Sequence, residues 1–195
     1  MTKYIIGIDE AGRGPIAGPV SIGAVCIPKN FSKWPLKRGL RDSKKLSEKK
    51  RIEVYQWMKT QKDIVFSTAL VPATMIDSIG IVPSIKKGIS GVLGKVVSTN
   101  PSEYTVLLDG GLHAPEEFMQ QKTIIKGDEK ELAIALASIA AKVERDAYMI
   151  RQSKKYPTYG FEKHKGYGTK AHYEAIHTHG ITSLHRTTFL KKVIS

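Results

Sequence analysis

The chain has 195 residues, 41% of them hydrophobic, a single cysteine and a formal net charge of +13. That length suits one globular unit over residues 1–195, the lone Cys26 rules out an internal disulfide and argues against a cysteine-based zinc site, and no apolar run approaches a membrane span. A soluble, cytoplasmic, monomeric protein without membrane association is expected.

The charge is unevenly placed. Residues 29–51 hold ten Lys/Arg against Asp42 and Glu48, a local excess of +8, and residues 150–195 hold nine against Glu162 and Glu174, an excess of +7, which leaves about −2 for the remainder. Two basic zones flanking a section that keeps its acids suit a polyanion held over an acidic, cation-binding site, so a nucleic acid is the expected partner.

In chain order, Ile5-Ile6-Gly7-Ile8 reads as a strand that delivers Asp9 and Glu10, followed at once by Gly12-Arg13-Gly14-Pro15. Adjacent carboxylates repel unless a cation lies between them, and hard oxygen donors of this type select Mg²⁺ or Mn²⁺. The two glycines let a phosphate or sugar approach the backbone amides, with Arg13 adding charge. A solvated turn is the plain alternative. A dinucleotide-binding turn is disfavoured because Val20–Ile27 reads as a second strand where that fold needs a helix.

Ser47, with Glu48 in the first turn, begins a helix through about Lys59 whose inward stripe is Ile52, Tyr55 and Met58 or Lys59. Lys44 and Lys45 precede it and suit either phosphates or solvent. Residues Asp63–Leu70 read as a third strand of a meander, stopped by Val71-Pro72. A short helix over Ala73–Ser78 precedes a longer one from Pro83 through Val97, with Ile85, Ile89, Val92, Leu93 and Val96 as its apolar face.

Glu103–Leu108 repeats the opening grammar, an apolar strand ending in Asp109 and two glycines. Two strands that each end in an acid can bring those acids together if they are neighbours in one sheet. A short strand at Thr123–Ile125 leads to Lys126-Gly127-Asp128 and a long helix with Leu132, Leu136, Ile139, Val143, Ala147 and Ile150 at helical spacing. Asp128 with Glu131 has the form of a capping box, and on spacing alone the cap is the favoured role. Glu144 and Asp146 pair most simply with Lys142 or Arg145.

From Tyr156 to Thr169 aromatic and basic residues interleave over a glycine-containing loop, a surface suited to stacking on a sugar or base. Thr169 then caps a helix that Gly180 ends. Five of the six histidines lie in this region; the spacing of His172 and His177 argues against a zinc cluster and for solvated or phosphate-facing rings.

The blocks Gly7-Ile8-Asp9-Glu10-Ala11-Gly12-Arg13-Gly14-Pro15, Asp42-Ser43-Lys44-Lys45-Leu46, Leu108-Asp109-Gly110, Lys126-Gly127-Asp128, Ala137-Ser138-Ile139-Ala140-Ala141-Lys142-Val143-Glu144-Arg145-Asp146 and His164-Lys165-Gly166-Tyr167-Gly168-Thr169 together resemble the ribonuclease HII family. A small departure is Thr188, where serine is expected. The resemblance implies an α/β fold, a ribonuclease H-like mixed sheet of three antiparallel and two parallel strands flanked by helices, with residues 150–195 as a helical, substrate-binding extension. It implies an endonuclease that cuts the RNA strand of RNA/DNA hybrids, and cuts 5′ to ribonucleotides embedded in duplex DNA, leaving 5′-phosphate and 3′-hydroxyl ends. Asp9, Glu10, Asp109 and Asp128 would hold two Mg²⁺ or Mn²⁺ ions, which overrides the cap for Asp128. Gly12, Arg13 and Gly14 would read the ribose 2′-hydroxyl, Tyr167 would stack on the following deoxyribose, and Lys44, Lys45 and Lys165 would bind the backbone. A sliding clamp is left open as a protein partner.

Overall fold

The structure, a computed structural model, describes residues 2–33 and 46–190. Strands β1 (Tyr4–Ala11), β2 (Val20–Pro28), β3 (Val65–Val71), β4 (Tyr104–Asp109) and β5 (Gln121–Ile124) form a single sheet in the order β3-β2-β1-β4-β5. β1 pairs antiparallel with β2 and β2 with β3, while β1–β4 and β4–β5 are parallel. The expected meander plus two parallel strands is therefore what forms.

Helices cover both faces. After the short α2 (Ala73–Ile79), α3 (Ile81–Val96) sets Ile85, Ile89, Val92, Leu93 and Val96 against Ile6, Ile8, Val20 and Ile22. On the opposite face α1 (Glu48–Thr60) and α4 (Leu132–Lys155) pack on Val25 and Ile27. The approach of α4 is unusually close for a physical reason. A Cβ at Gly7 would lie 2.0 Å from the carbonyl carbon of Ala133, and one at Gly23 would lie 2.3 Å from the Ala137 oxygen. With no side chains at those two strand positions, α4 rests on the backbones of β1 and β2.

The C-terminal elements, α5 (Phe161–His164), α6 (Lys170–His179) and two short 3-10 turns, gather Tyr159, Phe161, Ile176, Leu184 and Leu190 around Ile16, Ala17 and Met149. The segment after β1 is thereby held from two directions. Ile16 and Ala17 donate their amides to the Gly166 carbonyl (3.0 and 3.1 Å), and Gly18 donates to Leu184 (2.7 Å).

Several boundaries and faces depart from the sequence reading. β3 continues through Val71, α3 begins at Ile81 with Pro83 inside its first turn, and β5 covers Gln121–Ile124, leaving Ile125 exposed. α1 buries Val54, Tyr55 and Met58, whereas Ile52 is exposed, because it lies about 110° around the helix from the centre of that trio. The Asp128–Glu131 capping box does not form: Glu131 is itself the N-cap residue of α4 and makes no side-chain cap bond, while Asp128 belongs to a separate 3-10 turn, Gly127–Glu129. Two of the four aromatic rings of the Tyr156–Thr169 stretch are withdrawn from the expected stacking surface. Tyr159 and Phe161 are buried and stacked on each other with ring centroids 5.5 Å apart, and His172 and His185, expected in solvent or on phosphates, are buried beside them. Burying those rings is how a short C-terminal section acquires a core of its own.

Candidate active site

The parallel pairing of β1 with β4 determines where the acids meet. The paired positions end at Ile8 and Leu108, so the next residue on each strand is an aspartate, Asp9 and Asp109, at the same edge of the sheet. Asp9 follows Ile5 and Gly7 on the α4 face and accepts a hydrogen bond from Ser138 of α4 and one from the Glu10 amide (2.8 Å). Asp109 accepts the Gly127 amide at 2.7 Å, which draws in the turn that carries the buried Asp128. Asp9, Glu10 and Asp109 thus arrive at one edge by two strand ends, and Asp128 follows in the turn bonded to Asp109.

The electrostatics are unfavourable as the protein stands. Burial pushes the Asp9 carboxyl up to about 8, the Ser138 and Glu10 hydrogen bonds oppose that, and the neighbouring charges of Glu10 and Asp109 add to it. Glu10 is also raised, first by burial and further by Asp109, with Arg13 pulling the other way from 3.3 Å. Among the described residues no three His, Cys, Asp or Glu side chains are gathered closely enough to cage an ion by themselves. Even so, the donor set fits a divalent cation in chemical terms, because oxygen ligands whose charges penalise one another are stabilised when a hard positive ion comes among them.

Beside the acids lies an open cleft of about 480 Å³ lined by Glu10, Gly12, Arg13, Gly14, Ser138, Lys142, Arg51 and Tyr167. Gly12 and Gly14 play different parts. Gly12 adopts φ +89°, and a Cβ there would lie 1.9 Å from Arg145 Nε; a Cβ on Gly14 would meet nothing within 4 Å. The first glycine serves the fold, the second leaves space at the cleft. Tyr167 is half exposed at the cleft wall with the Arg145 guanidinium 5.8 Å from its ring centroid. Lys165 is not a cleft residue. Its ammonium turns back to the Glu162 carbonyl. Lys44 and Lys45 lie outside the described residues.

Two residues the sequence reading missed hold this loop. Arg145 donates to the carbonyls of Pro19 (2.9 Å), Lys165 (2.9 Å) and Ala17 (3.2 Å), and Arg186 donates to Gly18 (2.9 Å), Arg13 (3.0 Å) and Gly12 (2.7 Å). Both are fully buried. Burial lowers both guanidinium pKa values, Arg186 to about 9, yet in each the Nε, Nη1 and Nη2 atoms all reach a carbonyl acceptor. The Gly12 and Arg13 carbonyls are thereby turned toward Arg186. A buried arginine near the end of a chain gives no local signal of this role, because its partners are backbone oxygens far away in sequence. Lys142 and Arg51, the other cleft cations, were also missed; Lys142 pairs with Asp146 at 2.7 Å, as the spacing predicts, while Glu144 accepts the Tyr55 hydroxyl.

A mixed five-stranded sheet in this order, with carboxylates at the ends of two neighbouring parallel strands, is the arrangement expected of the ribonuclease H class. The comparisons narrow this. The model of the family described as Ribonuclease HII matches residues 6–192. The chain is 41% identical over 193 residues to ribonuclease HII of Caldicellulosiruptor bescii, covering 99% of this chain and 89% of that one, and 43% identical over 187 residues to that of Halalkalibacterium halodurans, covering 96% and 67%. Among solved structures, the PCNA:RNase HII complex from Archaeoglobus fulgidus superposes with a TM-score of 0.76 at 25% identity over 94% of this chain and 93% of that chain. The chain belongs to the ribonuclease HII family, whose members cleave the RNA of RNA/DNA hybrids and depend on divalent metal ions.

Proposed function

We propose that this protein hydrolyses the RNA strand of RNA/DNA hybrids and also incises duplex DNA on the 5′ side of an embedded ribonucleotide, leaving 5′-phosphate and 3′-hydroxyl ends. The observation that carries the reading is the shared cleft, in which Glu10, the arginine-pinned Gly12-Arg13-Gly14 loop and Tyr167 face the same space.

Asp9, Glu10, Asp109 and Asp128 are the residues that would hold two Mg²⁺ or Mn²⁺ ions. Bound there, such ions supply an activated water for in-line attack and neutralise charge on the phosphate and the leaving 3′-oxygen. The protein's own groups do the selecting. The amides of the Gly12-Arg13-Gly14 loop are suited to hydrogen-bond a ribose 2′-hydroxyl, the group that separates RNA from DNA at one nucleotide. Tyr167 stacks on the following sugar, where a second 2′-hydroxyl would meet its ring. Arg13 and Lys142 supply positive charge along the path of the phosphates, and residues 150–195 act as the substrate-binding extension, since Tyr167 within them lines the cleft. A sliding clamp is the partner the archaeal complex suggests. Among the described residues no helix is long and apolar enough to cross a membrane, and we place the protein in the cytoplasm.

The test is a set of labelled duplexes, one all DNA, one with a single ribonucleotide and one a continuous RNA/DNA hybrid, incubated with the protein and Mg²⁺ or Mn²⁺. Cuts mapped to the 5′ side of the lone ribonucleotide, with the all-DNA duplex intact, are expected. Cleavage of the all-DNA duplex at a similar rate would overturn the assignment.

A further inference from the structure

Lys165, Gly166 and Tyr167 follow an unfavourable path. Lys165 has φ +51° and Gly166 φ +84°, two consecutive left-handed residues immediately before the half-exposed ring at the cleft. Such a segment persists only if its surroundings hold it. Its backbone groups are in fact held one by one. The Lys165 carbonyl accepts from Arg145, the Gly166 amide donates to His164 Nδ1 at 3.2 Å, the Gly166 carbonyl accepts from Ile16 and Ala17, and the Tyr167 carbonyl accepts the Thr169 amide at 2.9 Å and is 2.8 Å from His172 Nδ1.

The last of these contacts ends a chain whose protons have only one arrangement. The Thr182 amide donates to His185 Nδ1 at 2.8 Å, so that nitrogen is bare and the proton of the neutral ring is on Nε2. His185 Nε2 lies 3.1 Å from His172 Nε2, which must then be the acceptor. His172 accordingly carries its proton on Nδ1 and donates it to the Tyr167 carbonyl. Both rings are buried, 0% and 2% exposed, with His164 stacked on His172 at 4.3 Å and Tyr159 against His185 at 5.3 Å. A second proton on either ring would set two N–H groups against each other, so the chain works only with both rings neutral.

We propose that the neutral His185–His172 pair is a positioning device for Tyr167, fixing the backbone of the residue whose ring meets the substrate sugar and thereby setting discrimination between a single embedded ribonucleotide and a continuous hybrid. This rests on the function proposed above. His172 and His185 touch no substrate; they act through the Tyr167 carbonyl.

The test compares His172→Asn with His172→Gln. The asparagine amide nitrogen lies where Nδ1 lies and keeps a donor for the Tyr167 carbonyl, whereas the glutamine nitrogen lies nearer Nε2 and withdraws it. The readout is the ratio of kcat/KM on the single-ribonucleotide duplex to that on the continuous hybrid, which cancels effects on the shared chemical step. His172→Gln is expected to lower the ratio about tenfold, the effect of losing one part-buried hydrogen bond from a carbonyl that keeps only the Thr169 amide. The loss should lie in KM for the single-ribonucleotide duplex, with kcat on the continuous hybrid held within about twofold. His172→Asn is expected to keep most of the ratio. Equal ratios in the two variants would overturn the inference, as would imidazole nitrogen NMR of the unaltered protein showing the proton of His172 on Nε2. The NMR readout does not depend on activity, so an unaltered protein that cuts neither substrate would overturn the functional reading without being mistaken for failure of the histidine pair's hydrogen bonds.

Discussion

Arg186 Nη2 donates to the carbonyl of Gly12 at 2.7 Å, joining residues 174 positions apart. This contact, with those to Arg13 and Gly18, makes the C-terminal segment part of the cleft. Replacing Arg186 with alanine removes three donors from buried carbonyls and is expected to cost about 2–4 kcal/mol of stability in urea unfolding. Arg186→Lys should recover only part of that, since one ammonium cannot reproduce the planar fork. An alanine variant as stable as the parent protein would mean the loop is held by other means.

The two cleft glycines should separate stability from activity. Gly12→Ala forces a Cβ to within 1.9 Å of the Arg145 side chain at a φ of +89° and is expected to destabilise the protein by at least about 2 kcal/mol. Gly14→Ala meets no neighbour, so its thermal midpoint should stay within a few degrees while KM for the ribonucleotide duplex rises. Calorimetry and steady-state cleavage on both variants check this; a parallel loss of stability in the two would remove the distinction.

Asp109→Asn tests the acidic cluster. The asparagine oxygen can still accept the Gly127 amide, so the turn bearing Asp128 should stay in place while one negative charge disappears. A loss of several orders of magnitude in Mg²⁺-dependent cleavage is expected with little change in folding. Near-normal turnover would show that Asp109 holds no ion.

Tyr167→Ala should leave the continuous hybrid a substrate and weaken the preference for single embedded ribonucleotides, because the ring at the cleft wall is lost and the acids are untouched. An unchanged preference would take Tyr167 out of recognition.

His172 gives the protein an acid-side stability limit. Burial lowers its pKa from 6.5 to about 4, the bond to the Tyr167 carbonyl opposing and His164 and His185 adding to the drop. The unfolded chain therefore binds a proton at higher pH than the folded one. The contribution is fully present above about pH 6.5 and is lost as pH falls toward 4, at no more than about 1.4 kcal/mol per pH unit for one group. Unfolding free energies measured from pH 7 to 4.5 should fall less steeply for His172→Asn, which cannot titrate; identical slopes would contradict the burial of a neutral ring.

The sequence by itself determined the local and repeated features: alternating strands, the Ser47 and Thr169 caps, the helical stripes, and two apolar strands each closing on an aspartate. Those are written in short-range patterns that the chain's own geometry decodes, and with the six motif blocks they were enough to identify the family. Only the tertiary structure decided what each side chain meets. The parallel register of β1 with β4 set Asp9 beside Asp109, the close seat of α4 brought Ser138 to Asp9, and the C-terminal segment returned Arg186 to Gly12 and set His185 against His172. Spacing suggested a cap for Asp128 and solvent for the histidines because it records which residues are near in the chain. Burial, as of the two histidine rings, and backbone acceptors a hundred or more positions away, as for Arg145 and Arg186, leave no such trace.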